Sequence, residues 1–280
     1  MKKTIVDKKV VLQNKYNKLE IGTNSRRAYI NGIMLWLHEP CRKSGTDWVI
    51  REIDFKKNID PILRTYAYAP KRMPRLVVLD PGHGGHEPGT VSPSKTMEKD
   101  VVLDIAHRVR KLLEAKGIQV RMTRTGDTYP QLDARTTYAY KVGADLFISI
   151  HANAAGASSA SGVETFVTAV AGYDSSNYYG QAADKQSQRN NTYDPLNAIL
   201  GFSIQSNLVK MSRRKDRGLR RARYSVIKKA TCPSALVECG FLSNPAEEAL
   251  LKTSRYRETV ARGISNGVLG YFTLIRRALR

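Results

Sequence analysis

The chain reads as an α/β protein: a twisted, mostly parallel sheet with helices on both faces, preceded by a small β-rich N-terminal module. Three observations predict this. From Arg75 onward, short apolar runs alternate with segments of helical periodicity, the pattern of a doubly wound sheet. Three of those runs end on residues that chemistry uses: LVVLDPGHGG (76–85) and DLFISIHAN (145–153) on histidines, PSALVECGF (233–241) on a glutamate. Residues 1–72 differ in character, holding both tryptophans, Trp36 and Trp48, and an Asn31-Gly32 pair that marks a tight hairpin turn.

In chain order, the first 20 residues are expected to be unstructured, and YINGIML forms the hairpin. DWVIREIDFKKNIDPIL reads as a strand and a short helix, and AYAPKRMP (67–74) as a linker that separates a module at 1–72 from a domain at 73–280. Strand 75–80 passes through a glycine-rich loop into a helix at about 97–116, whose Val101, Val102, Ile105, Ala106, Val109, Leu112 and Leu113 recur at helical spacing until Gly117 stops it. Strand 118–122, a helix at about 131–142, strand 145–150 and strand 162–167 follow. PLNAILGFSIQSNLVKM (195–211) is a helix, and a strand is expected within ARYSVIKK (222–229), ahead of the SALVE strand. Asn244-Pro245-Ala246-Glu247 is a helix start, and the closing helix at about 254–277 carries its apolar stripe on Tyr256, Val260, Ile264, Val268 and Tyr271.

Charge bounds the partners. Lys and Arg number 46 against 25 Asp and Glu, a net +21 in 280 residues, which favours polyanions: nucleic acid or an anionic cell envelope. The densely basic run RRKDRGLRRARYSVIKK (213–229) has only Tyr224 as an aromatic, so it lacks the stacking platforms of single-strand binders, and no nucleic-acid partner is expected. Most of that run reads as a solvated charged face. No apolar run reaches the roughly 18 residues of a membrane span. MKKTIVDKK opens like a leader, but the apolar stretch of a signal peptide does not follow. Three cysteines, Cys41, Cys232 and Cys239, make no disulfide framework and are expected to be free and buried.

The carboxyl ends of parallel strands lie along one edge, where ligands bind in such folds. His83, His151 and Glu238 should therefore meet, and Glu98, at the start of the first helix, can point back at them. Two imidazoles and a carboxylate are the donor set of a hydrolytic zinc site with an open position. Glu238 sits in LVECGF, where apolar surroundings raise a carboxyl pKa, so it is assigned as general base and acid. His83, Glu98 and His151 are assigned as ligands to one zinc ion. Asp80 is expected to hold His83 by a hydrogen bond. Asn153 and Arg217 are candidate substrate contacts, while His86, Glu87 and His107 read as surface residues.

These blocks resemble a known family. VVLDPGHGG, EKDVVLDIA (98–106), VRMTRTGD (120–127), LDARTTYA (132–139), DLFISIHANA (145–154), SGVETF (161–166) and DRGLRRARYSVIKKATCPSALVECGFLSN (216–244) follow in the order found in the type-3, zinc-dependent N-acetylmuramoyl-L-alanine amidases, over about residues 75–271. The resemblance implies the same ligands and the same catalytic glutamate. It also implies cleavage of the amide between N-acetylmuramic acid and the L-alanine of the peptidoglycan stem, in the periplasm or the extracellular envelope. Some members carry an inserted inhibitory helix released by activator proteins. Here the stretch between Val163 and Asp194 holds no obvious acidic helix, and YDSSNYYGQAADKQSQRNN (173–191) is polar and loop-like, so no activator is assigned. A zinc hydrolase of another cell-wall amide, a peptidase or a deacetylase, is the alternative. A catalytically dead wall-binding module would require one of the four residues to be missing, and all four are present.

Overall fold

Eleven strands join one sheet in the computed structural model of the chain, which describes residues 2–6, 8–176 and 185–280. The N-terminal part supplies β1 (Lys2–Val6), β2 (Lys9–Gln13), β3 (Lys18–Gly22), β4 (Arg27–Ile30) and β5 (Ile33–Trp36), an antiparallel meander. Asn31 and Gly32 turn β4 into β5 with φ of 51° and 83°, the left-handed pair of a type I′ hairpin. A separate two-stranded ribbon, β6 (Arg42–Ser44) and β7 (Asp47–Val49), leads into the short helices α1 (Glu52–Asp54) and α2 (Asp60–Leu63). The strands at the start of the chain replace the unstructured segment expected there.

The α/β part then runs β8 (Leu76–Pro81), α3 (Glu98–Glu114), β9 (Gln119–Met122), α4 (Leu132–Lys141), β10 (Leu146–Asn153), β11 (Val163–Thr168), α5 (Asp194–Ser212), β12 (Asp216–Ala222), α6 (Ser225–Lys228), β13 (Ser234–Phe241), α7 (Pro245–Leu251) and α8 (Ser254–Ala278). Across the sheet the order is β1-β2-β3-β4-β5-β12-β11-β13-β10-β8-β9. β9, β8, β10 and β13 are parallel; β11 is antiparallel to β13, and β12 and β5 follow β11's direction. The amino ends of β11 and β12 therefore lie at the same edge as the carboxyl ends of β8, β10 and β13. The strand expected in ARYSVIKK lies upstream, in DRGLRRA, and SVIK is a helical turn.

Alternation along β13 divides two cores. Ala235, Val237 and Cys239 join the larger one with α3, α5 and α8, while Leu236 joins Phe147, Phe166, Val226 and Ile227 beneath α4 and α6. Helices thus cover both faces. All five apolar positions read from the α8 sequence are buried, and Asn244 caps α7 by accepting the Glu247 backbone N–H at 3.0 Å. The three cysteines are free and buried.

The N-terminal strands continue the sheet through β5, which meets β12 at Leu35 and Leu219. Buried polar groups tie the same junction. Asp54 accepts the His38 backbone N–H (2.7 Å), pairs with its Nδ1 (2.8 Å) and accepts Asn58 Nδ2 (2.8 Å). Asn58 Oδ1 in turn accepts Nε of Arg221 (2.6 Å). Arg221, read as part of a solvated basic face, is only 2% exposed. Of the polar stretch at 173–191, residues 177–184 lie outside those described.

Candidate metal centre

His83 leaves the end of β8 in a left-handed conformation, φ 59°, unusual for a residue with a side chain. The turn is held through its carbonyls by two buried arginines. Arg124 donates to the carbonyls of Pro81 (2.9 Å) and Gly82 (2.7 Å), and Arg135 to those of Pro81 and His83 (both 2.9 Å). Arg135 is itself neutralised by Asp80 (2.8 Å). Asp80 also accepts the hydroxyls of Thr123 (2.6 Å) and Ser149 (2.8 Å), and it acts on the His83 backbone through Arg135. The hydrogen bond expected from Asp80 to the His83 ring is made instead by Glu87, whose Oε1 lies 3.1 Å from Nδ1. That fixes the ring and leaves Nε2 turned inward.

Glu98 opens α3 and is 4% exposed. Its Oε2 accepts the Thr90 backbone N–H (2.9 Å) and its Oε1 that of Ala152 (3.0 Å). The same Oε1 lies 3.2 Å from His83 Nε2 and 2.9 Å from His151 Nδ1. The two rings stand edge to face, centroids 5.0 Å apart. Burial alone would raise the Glu98 pKa, but hydrogen bonds to His151 and His83, and the charge on both, outweigh it and hold the carboxyl below its usual range. At Gly89, φ 68°, a side chain would stand 2.6 Å from the His83 ring and 2.7 Å from Glu98 Oε2, so the loop closes on both residues only because none is there.

One ligand atom from each of His83, Glu98 and His151 falls within 4.8 Å of the others, the one such cluster among the described residues. Donors on a tetrahedral zinc ion, bonded at about 2.0–2.2 Å, lie about 3.3 Å apart, close to the two contacts made by Glu98 Oε1. The donor set is thus one that a zinc ion fits.

Glu238 is opposite His151 in the β10–β13 register and opposite Glu164 in the β11–β13 register. It is buried, and its Oε2 has no hydrogen-bond partner among the described residues. Burial, then the charges of Glu98 and Glu164, push its pKa well above the ordinary value. An orphaned buried carboxylate oxygen is costly unless something outside the protein uses it.

Glu164, which the sequence reading did not single out, organises the neighbouring edge. Its Oε1 accepts Asn153 Nδ2 (2.7 Å), and its Oε2 accepts Arg217 Nε (3.2 Å) and Arg220 Nη1 (2.8 Å). The two candidate substrate contacts, Asn153 and Arg217, are thereby brought together on one buried carboxylate. His86 packs edge-on against Tyr129, centroids 4.6 Å apart, and His107 faces the Thr125 carbonyl at 3.1 Å.

Comparison with known proteins follows the geometry. A family profile described as N-acetylmuramoyl-L-alanine amidase matches residues 77–269. The amidase AmiA of Salmonella typhimurium is 36% identical over 225 residues, covering 71% of this chain and 76% of its own. Among solved structures, the catalytic domain of CwlV from Bacillus (Paenibacillus) polymyxa var. colistinus is similar with a TM-score of 0.61 at 30% identity, covering 71% of this chain and 99% of that one. The N-acetylmuramoyl-L-alanine amidase of Clostridium difficile 630 is similar with a TM-score of 0.59 at 34% identity, covering 72% and 98%.

Proposed function

Given that the chain belongs to the N-acetylmuramoyl-L-alanine amidase family and so is a peptidoglycan hydrolase, we propose that it is zinc-dependent, with His83 Nε2, Glu98 Oε1 and His151 Nδ1 as the protein ligands and Glu238 as the general base and acid. The observation that carries this reading is the convergence of the three donors beside the orphaned Glu238 carboxylate. Zinc in such a site supplies a Lewis acid that lowers the pKa of water and polarises an amide carbonyl.

The protein's own residues do the rest. Glu87 and the Arg135–Asp80 pair fix the His83 ring and backbone, and the backbone N–H groups of Thr90 and Ala152 fix Glu98. Glu238 accepts a proton from water as the new C–O bond forms. It returns that proton to the L-alanine nitrogen as the C–N bond breaks. Its raised pKa suits both halves of that exchange. A peptidoglycan substrate supports a location in the periplasm or the extracellular envelope, and the net charge of +21 favours the envelope's polyanions as secondary partners.

Metal analysis with product analysis on purified sacculi tests this. We expect about one zinc per chain, lost in His83→Ala and His151→Ala with the fold retained, and release of intact stem peptides from glycan strands. A protein that takes up no zinc at micromolar supply overturns the mechanism, and one that shortens stems instead of freeing them overturns the bond assignment.

A further inference from the structure

The edge that carries Glu238 continues into β11, β12 and the N-terminal strands. Arg217 and Arg220 are three residues apart on β12, which in a regular strand would send them to opposite faces. A bulge removes that parity: Val163 pairs with Asp216 but Thr165 with Leu219, two residues on β11 against three on β12, with Gly218 at φ 90°. Both guanidinium groups therefore reach the same Glu164 oxygen.

The bulge is held from outside by β5. Met34 N donates to Asp216 Oδ2 (2.8 Å), and Trp36 Nε1 donates to the carbonyl of Arg217 (2.8 Å). The Trp36 ring also lies 4.8 Å from the guanidinium of Arg220. Trp36 and Met34 precede the stretch at 77–269 that matches the amidase family.

Arg217 itself is half free. Its Nε is pinned by Glu164, its guanidinium lies 4.8 Å from the Phe241 ring, and its side chain is 27% exposed. Among the described residues Nη1 and Nη2 have no acceptor. A planar fork with its inner nitrogen fixed and its outer nitrogens open matches a carboxylate.

We propose that Arg217 forms a carboxylate subsite for the stem peptide, and that Trp36, brought by the N-terminal strands, is the positioning residue that holds it. The inference rests on the amidase reading of the Glu238 edge. It gives residues 1–72 a part in the substrate groove rather than a separate wall-binding task.

Binding, read apart from turnover, tests it. The zinc-loaded full chain is titrated calorimetrically with a free stem tripeptide, once with its carboxyls ionised and once as the amide. The wild type should bind the acid form about tenfold more tightly. Arg217→Gln and Trp36→Ala should erase that preference while zinc content stays the same. Trp36→Phe, which keeps an aromatic ring but loses the indole N–H and the ring that carries it, should retain part of it, and it decides the matter if Trp36→Ala does not fold. A wild type indifferent to amidation, or a folded Trp36 variant with the full preference, overturns the proposal. Selective binding with no stem peptide released from sacculi overturns the amidase mechanism and leaves the subsite standing.

Discussion

Two buried carboxyl groups at one sheet edge have their pKa values pushed apart: Glu98 is held ionised by two imidazoles, while Glu238 is driven toward its neutral form by burial and by the charges of Glu98 and Glu164. Such a divergence separates a ligand from a base. Glu238→Gln keeps the shape and cannot take a proton, so zinc stoichiometry should stay near one while turnover falls at least about 100-fold. Loss of metal in that variant, read by elemental analysis, would exchange the roles of Glu98 and Glu238. His83, His151 and Glu238 were legible because each ends an apolar strand, and Glu98 because it opens the helix after one. Asp80 was misread: a carboxylate three residues before a histidine looks like its partner, but Asp80 still lies on β8, where Thr123, Ser149 and Arg135 take its oxygens, and Glu87 across the turn makes the contact.

At the scale of elements, the loop from Gly82 to Met97 carries His83 and leads into Glu98, and α7 clamps it. Glu248 Oε1 accepts the hydroxyls of Ser92 (2.5 Å), Ser94 and Thr96 (2.9 Å), which bracket the loop's return toward Glu98. The same loop places Gly89 against His83 and Glu98, and the Thr90 N–H on Glu98. Glu248→Ala leaves the three hydroxyls without their shared acceptor, so zinc affinity should fall by about tenfold. Activity should return at excess zinc, whereas Glu238→Gln should not be rescued; a chelator competition titration that finds wild-type affinity in Glu248→Ala rules the clamp out. Glu164 escaped the sequence reading for a reason at this scale. Searching the carboxyl ends of parallel strands finds β8, β10 and β13, but β11 runs the other way and brings its amino end to the site. A run such as GVETFV gives no sign of its direction. The basic run was opaque for a similar reason: periodicity cannot tell that Arg221 is enclosed by Asn58 and Thr168, which come from other parts of the chain.

Over the whole molecule, a charge of +21 is separate in range from the chemistry. The proposed metal ligands and Glu238 are buried or partly so and would act over contact distances, where salt screens little. On the proposed envelope partners, the exposed lysines and arginines would act over a Debye length of about 10 Å at 0.1 M salt. Raising salt should therefore weaken sedimentation with sacculi and raise KM on them, while kcat on a small soluble muropeptide changes little. Arg213 and Lys215, both exposed where α5 hands over to β12, lie outside the site, so replacing them with glutamine should act in the same direction as salt. Arg217, two residues further on, should instead alter KM for the soluble substrate as well, because the proposed subsite uses its charge at the edge that carries Glu238. Equal loss of kcat on both substrates with rising salt would tie the charge to stability or to the catalytic step, and attraction to the wall could then no longer be its role.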